Sequence, residues 1–185
     1  ERRFDKKSKY QVPVADISNK AMSVNLDSCI HCNLCVRACR EVQVNDVIGM
    51  GMRGHSSKVI FDFDDPMGES TCVSCGECVQ ACPTGALMES SLLDEYGKHK
   101  GEPDREVDSL CPYCGVGCQL TFKIKDEKIV SAIGRDGPAN NNRLCVKGRF
   151  GFDYIHNPER ITKPLIRKNG IKKDPTERVN PLDPS

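Results

Sequence analysis

The chain has no tryptophan, and aromatic residues make up only 5% of its 185 residues. Apolar residues reach 38%. That is thin for a large hydrophobic core, so packing alone is a poor source of stability here. Charge of one sign is missing too: 27 Lys and Arg stand against 26 Asp and Glu, a net charge of +1. No basic excess marks a nucleic-acid surface. No apolar run approaches the length of a membrane span. The pair Arg2-Arg3 has no apolar stretch behind it, so it does not read as a twin-arginine export signal. The length fits one medium domain or two small ones.

What the chain does have is cysteine, twelve in three groups of four with none left over. The groups are Cys29, Cys32, Cys35 and Cys39; Cys72, Cys75, Cys78 and Cys82; and Cys111, Cys114, Cys118 and Cys145. The first two share the spacing C-x2-C-x2-C-x3-C. A cubane iron–sulfur cluster needs one thiolate for each of its four irons. Three cysteines in a tight loop hold three corners, and in two-cluster proteins the fourth Cys of each run reaches the neighbouring cluster. One cluster is therefore assigned to Cys29, Cys32, Cys35 and Cys82, and another to Cys72, Cys75, Cys78 and Cys39. The third group, C-x2-C-x3-C-x26-C, makes a separate four-thiolate site. Three [4Fe–4S] clusters in so short a chain describe an electron conduit. Because metal binding is coupled to folding, the metal-free chain is expected to be largely unfolded.

Two plainer readings compete. Four-Cys zinc sites come as two C-x2-C knuckles, and four cysteines within eleven residues, twice over, are hard to wrap around one zinc. Spacing alone leaves zinc open at the third group. Disulfides would need an oxidising compartment, and repeated C-x2-C steps suit metal ligation better. A reducing cytosol is the expected location. His31, between two ligands, reads as a loop residue near cluster sulfur.

The expected fold class is α+β. Residues 1–25 read as an extended lead-in. Residues 26–90 hold the repeated runs, with short helices over about Leu34 to Val42 and from Gly76 to Cys82, and a strand over Lys58 to Phe63 bounded by Gly54 and Pro66. Residues 91–108, rich in charge and glycine, read as a linker. In 109–160, Leu120, Phe122 and Ile124 alternate with Thr121, Lys123 and Lys125 as a half-buried strand. A turn at Asp126-Glu127 leads to a second strand over about Lys128 to Ile133, and beyond it lies Cys145. Residues 161–185 read as an extended tail with no core of its own.

Cys-Pro-Tyr-Cys-Gly-Val-Gly-Cys at 111–118, then a hairpin, then Cys-Val-Lys-Gly-Arg-Phe at 145–150, resembles the N-terminal [4Fe–4S] domain of molybdopterin oxidoreductases. Within that superfamily the chain is most similar to cytosolic formate dehydrogenase alpha subunits. Residues 35–43, 61–70 and 154–160 carry the same resemblance. It implies a bacterial two-[4Fe–4S] ferredoxin-like domain, followed by a small β-rich [4Fe–4S] domain of the molybdopterin oxidoreductase type. It further implies a bis-molybdopterin guanine dinucleotide cofactor with Mo or W beside the third cluster. Lys147 matches the lysine that bridges cluster and pterin, where otherwise it would read as a solvated charge. Arg37, Arg40, Arg143 and Arg149 read either as tuners of cluster potential or as solvated charges.

No Cys remains to serve as the catalytic metal ligand, and the family's catalytic residues lie downstream. The segment is thus expected to be part of a larger catalytic subunit that oxidises formate reversibly. Electrons would pass to a diaphorase- or hydrogenase-type partner subunit. The rival reading is a non-catalytic carrier or adaptor subunit of a hydrogenase or NADH:quinone oxidoreductase.

Overall fold

The computed structural model describes residues 14–164 together with Ile166 and Gly170. The expectation for 1–13 and for most of the tail lies outside these residues. The architecture is α+β, made of short helices and three small antiparallel sheets.

Strand β1 (Met22–Val24) pairs with β4 (Leu87–Glu89), with Met22 opposite Glu89 and Val24 opposite Leu87. Strands β2 (Ile48–Gly51) and β3 (Lys58–Phe61) form a hairpin that sets Ile48 against Phe61. Between these strands lie the two cysteine runs. The first enters α1 (Leu34–Arg37) and continues through a π-type turn over Ala38–Val42; the second enters α2 (Glu77–Ala81). Both helices fall where the spacing placed them. Neither could stand alone, since helices this short are marginal in water.

The core under the two runs is small. Met22, Val24, Val36, Val47, Ile48, Val59, Phe61, Met67 and Leu87 pack with Cys35, Cys39 and Cys78. Three cysteines inside the core mean that a large share of the buried interior is sulfur, the deficit that the composition implied.

The third sheet has the order β5-β6-β7 (Arg105–Leu110, Gln119–Lys125, Lys128–Gly134). The turn between β6 and β7 has Asp126 and Glu127 both left-handed, at φ 49 and 58°. That is the twist a two-residue hairpin needs.

Four expectations are corrected. Residues 91–108 are not simply a linker, because β5 begins at Arg105 and pairs along β6, Arg105 opposite Ile124. The lead-in to 25 contains β1, and Asp16 exchanges backbone hydrogen bonds with Val24 at 2.8 and 2.9 Å. The strand expected to reach Phe63 stops at Phe61, because Asp62 and Asp64 turn left-handed and leave Phe63 exposed. Along β6 the alternation is broken: Thr121 is buried beside Leu120, and its hydroxyl donates to Asp108 Oδ1 at 2.8 Å.

Candidate iron–sulfur site

The two repeated runs share their left-handed loop positions. In the first, His31 and Asn33 are left-handed at φ 56 and 62°; in the second, Ser74 and Gly76 are left-handed at 53 and 78°. Both positions lie two and four residues past the leading cysteine. Each left-handed step reverses the chain, so successive cysteines face a common centre.

The thiols sense one another in the sets that cross-ligation requires. Burial pushes the Cys35 thiol up to about 11, and the neighbours adding to it are Cys29, Cys82 and Cys32. Burial also raises Cys72, with Cys75 and Cys39 beside it. Cys78 is raised well above its ordinary value by burial, helped by Cys75, Cys72, Cys35 and Cys39. Thus Cys39 faces the second run, and Cys82 faces the first. Cys35 among the neighbours of Cys78 shows that the two gatherings adjoin. Burial raises Cys118 too, with Cys111, Cys114 and Cys145 next to it.

Backbone donors reach several sulfurs. Val47 N donates to Cys39 Sγ at 3.4 Å, and Ser74 N to Cys72 Sγ at 3.4 Å. Cys82 is the exception in its titration. Burial alone would raise it, but hydrogen bonds from Leu87, Thr84 and Ala86 outweigh that and lower it. Donors aimed at sulfur favour the more negative charge state, in a thiolate and in a reduced cluster alike.

The third gathering is built differently. Cys111, Cys114 and Cys118 lie in the β5–β6 connection, closed by Cys111 N donating to Cys118 O at 2.8 Å. Cys145 stands at the start of α3 (Val146–Phe150). Asn140, which sequence reasoning missed, holds the two parts together. Its Nδ2 donates to Gln119 O, Arg135 O and Arg143 O at 3.0, 3.2 and 3.0 Å, and its Oδ1 accepts from Gln119 N at 2.9 Å. A Cβ added to Gly148 would stand 3.5 Å from Cys111 Sγ, so α3 lies close over the loop. Tyr113 fixes the loop from the other side, its hydroxyl donating to the Gly151 carbonyl, its ring edge-on to Tyr154 at 6.1 Å. His156 Nε2 accepts from Ile129 N at 2.9 Å and binds this segment to β7.

Four arginines were left between two readings, and the structure separates them. Arg37 and Arg40 are exposed and paired with Glu41 and Asp46 at 3.1 and 2.5 Å. Arg143 is exposed as well. Arg149 is 0% exposed and ion-paired with Glu77, itself 6% exposed, at 2.5 Å. Room for it comes from Gly76, where a Cβ would meet Arg149 Cδ at 2.2 Å. Lys147 is exposed, as is Cys145 two residues before it.

All twelve cysteines are free thiols, so no disulfide joins them. Among the described residues no three His, Cys, Asp or Glu groups converge tightly enough for a single metal ion. A zinc ion would need four sulfurs about 2.3 Å from one point. A cubane spreads its thiolates over four separate irons, one each. Gathered but spread, with Cys29, Cys32, Cys35 and Cys82 lining one partly enclosed cavity, the donors fit a cluster better than an ion.

Residues 28–86 match the family of the 4Fe-4S dicluster domain, and residues 104–157 that of the molybdopterin oxidoreductase Fe4S4 domain. The chain thus carries, in order, a match to each of these two iron–sulfur domains. It is similar to a protein of Staphylococcus haemolyticus (strain JCSC1435) named "Putative formate dehydrogenase", at 34% identity over 78% of this chain and 18% of that protein. Proteins of the same printed name from Staphylococcus aureus strains USA300 and NCTC 8325 / PS 47 are 35% identical, with the same coverage. The chain therefore spans about a fifth of the length of these curated relatives. Among the described residues no helix is long and apolar enough to cross a membrane.

Proposed function

We propose that the chain is the electron-transfer part of a formate dehydrogenase catalytic subunit, carrying three [4Fe–4S] clusters in two modules. Cys29, Cys32, Cys35 and Cys82 hold the first cluster. Cys72, Cys75, Cys78 and Cys39 hold the second, and Cys111, Cys114, Cys118 and Cys145 the third. The observation that carries this reading is where the fourth cysteines lie: Cys82 lines one cavity with Cys29, Cys32 and Cys35, and Cys39 neighbours Cys72, Cys75 and Cys78. The relatives' printed name supports formate as substrate.

When bound, a bis-molybdopterin guanine dinucleotide with Mo or W supplies the two-electron oxidation of formate to carbon dioxide. This chain's residues hold the sites that accept those electrons one at a time. Lys147, exposed on the first turn of α3 and two residues from Cys145, is the residue placed to contact the pterin. The sites run in the order third, second, first. Arg149 joins α3 to Cys75 O, and Cys35 neighbours Cys78. Electrons leave from the first site to a diaphorase- or hydrogenase-type subunit of a cytoplasmic complex.

The test is metal analysis of the anaerobically purified full-length protein with reduced-state electron paramagnetic resonance. The expected result is about twelve irons per chain, four for each four-thiolate site, with Mo or W present. About four irons, or stoichiometric zinc, overturns the cluster assignment. Twelve irons without Mo or W, and without formate oxidation, turns the reading to a carrier subunit.

A further inference from the structure

We propose that the Glu77–Arg149 ion pair positions the third cysteine quartet against the second and sets the reduction potential of the second cluster, a role that rests on the cluster assignment above. Arg149 heads the largest fully buried side chains of the described chain. Burying such a pair is weak evidence for stability, because well-packed apolar residues of similar volume often do as well or better. A charge kept there does something that packing does not.

Each guanidinium nitrogen donates across the junction. Nε donates to Cys75 O at 2.8 Å, Nη1 to Gln80 Oε1 at 2.8 Å, and Nη2 to Glu77 Oε1 at 2.5 Å. The same Glu77 oxygen accepts from Leu144 N at 3.3 Å, and Gln80 Nε2 donates to Asn142 O at 3.2 Å. Glu77 and Gln80 lie on one face of α2, three residues apart. Together they grip both the loop leading to Cys145 and the helix that follows it. Glu77 itself lies between ligand candidates Cys75 and Cys78. The network therefore runs from the backbone of one quartet to the backbone of the other.

Both charges lie beside the second quartet: Arg149 Nε donates to Cys75 O at 2.8 Å, and Glu77 opens α2 between Cys75 and Cys78. Reduction adds negative charge to a cluster, so the carboxylate opposes it and the guanidinium favours it. Removing one charge or the other must move the same cluster in opposite directions. Among the described residues, the side chains of the pair bond to the backbone of Cys75 and to no cysteine of the third quartet, so the third cluster should stay nearly fixed.

The experiment is a redox titration by electron paramagnetic resonance of the full-length protein, comparing the parent with Glu77→Gln, Arg149→Gln and Arg149→Lys. Glu77→Gln keeps an oxygen to accept both bonds and should retain the parent iron content. It should raise the potential of the second cluster by about 59 mV, a tenfold change in a one-electron equilibrium. Arg149→Gln should lower that potential, and Arg149→Lys should restore most of it. If Arg149→Gln loses iron, Glu77→Gln alone decides. No shift in Glu77→Gln, shifts of the same sign in both variants, or equal shifts at all three clusters overturn the inference and leave the cluster assignment standing. A parent protein without cubane signals overturns both.

Discussion

Aligned position by position, the two repeated runs place Asn33 against Gly76, Leu34 against Glu77 and Arg37 against Gln80. Their backbones agree, yet their surroundings differ. Leu34 is 40% exposed, while Glu77 is 6% exposed. An apolar residue outside and an acid inside reverse the usual preference. The cause is the neighbour. The second run has Arg149 and the Cys145 loop packed on it, whereas Arg37 pairs, among the described residues, with Glu41 in the π-type turn that continues α1. One loop geometry serves an open face in one copy and a docked face in the other. Cysteine spacing is thus separable from what surrounds it, and the surroundings are where the two runs differ.

The largest effect should come from breaking the exchange between the runs. Cys39→Ser is expected to remove the cluster of the second run, and Cys82→Ser that of the first. Each should lower iron by about four per chain. The loss from the run that does not contain the substitution is the discriminating result, read from the distinct resonance signals. Loss from the same run would break the exchanged ligation.

Next comes the left-handed position. Gly76→Ala combines a strained φ of 78° with a Cβ 2.2 Å from a pinned Arg149. Left-handed strain costs about 1–2 kcal/mol, and overpacking roughly 1–3 kcal/mol more. Asn33→Gly, at the equivalent open position, should stay within about 0.5 kcal/mol of the parent. Thermal unfolding of the iron-loaded protein separates the two. Equal effects would remove the distinction between docked and open faces.

A smaller effect is expected at the exposed arginine. Arg37→Ala deletes an i,i+4 pair whose side chains are 66% and 55% exposed. Such a pair is worth about 0.3–0.5 kcal/mol, so iron content and potentials should not change. A cluster shift as large as that of Glu77→Gln would contradict the contrast.

The smallest effect concerns pH. Burial raises the Glu89 carboxyl, against the hydrogen bond from Ser131 and the charges of Arg149 and Lys123. Among the described residues Glu89 Oε2 has no hydrogen-bond partner. A raised carboxyl contributes stability that is full below its unfolded value and is lost as pH rises through the folded one. Glu89→Gln should therefore gain on the parent as pH rises from about 4.5. A difference in melting temperature that stays flat with pH would refute a raised Glu89 carboxyl.

The two helices were legible because the repeated cysteine spacing that places them is written in sequence. β5 was not, because Arg105, Glu106, Val107 and Asp108 are all exposed and show no alternation; pairing with β6 makes the strand. Arg149 was left undecided because burial depends on a helix some seventy residues away. Glu77 did leave a signal, which the comparison of the runs brings out: an acid and a glycine stand where the first copy has leucine and asparagine. Asn140 left none, since its four bonds exist only once β6 and the Cys145 loop meet.

The pairing of β1 with β4 sets the two ends of the repeated unit side by side. The polypeptide comes in and goes out through one doorway, and both sulfur-lined turns hang from it. The spacing between those turns is thus set inside the unit, whereas the charge beside the second turn comes from its C-terminal flank, through Arg149.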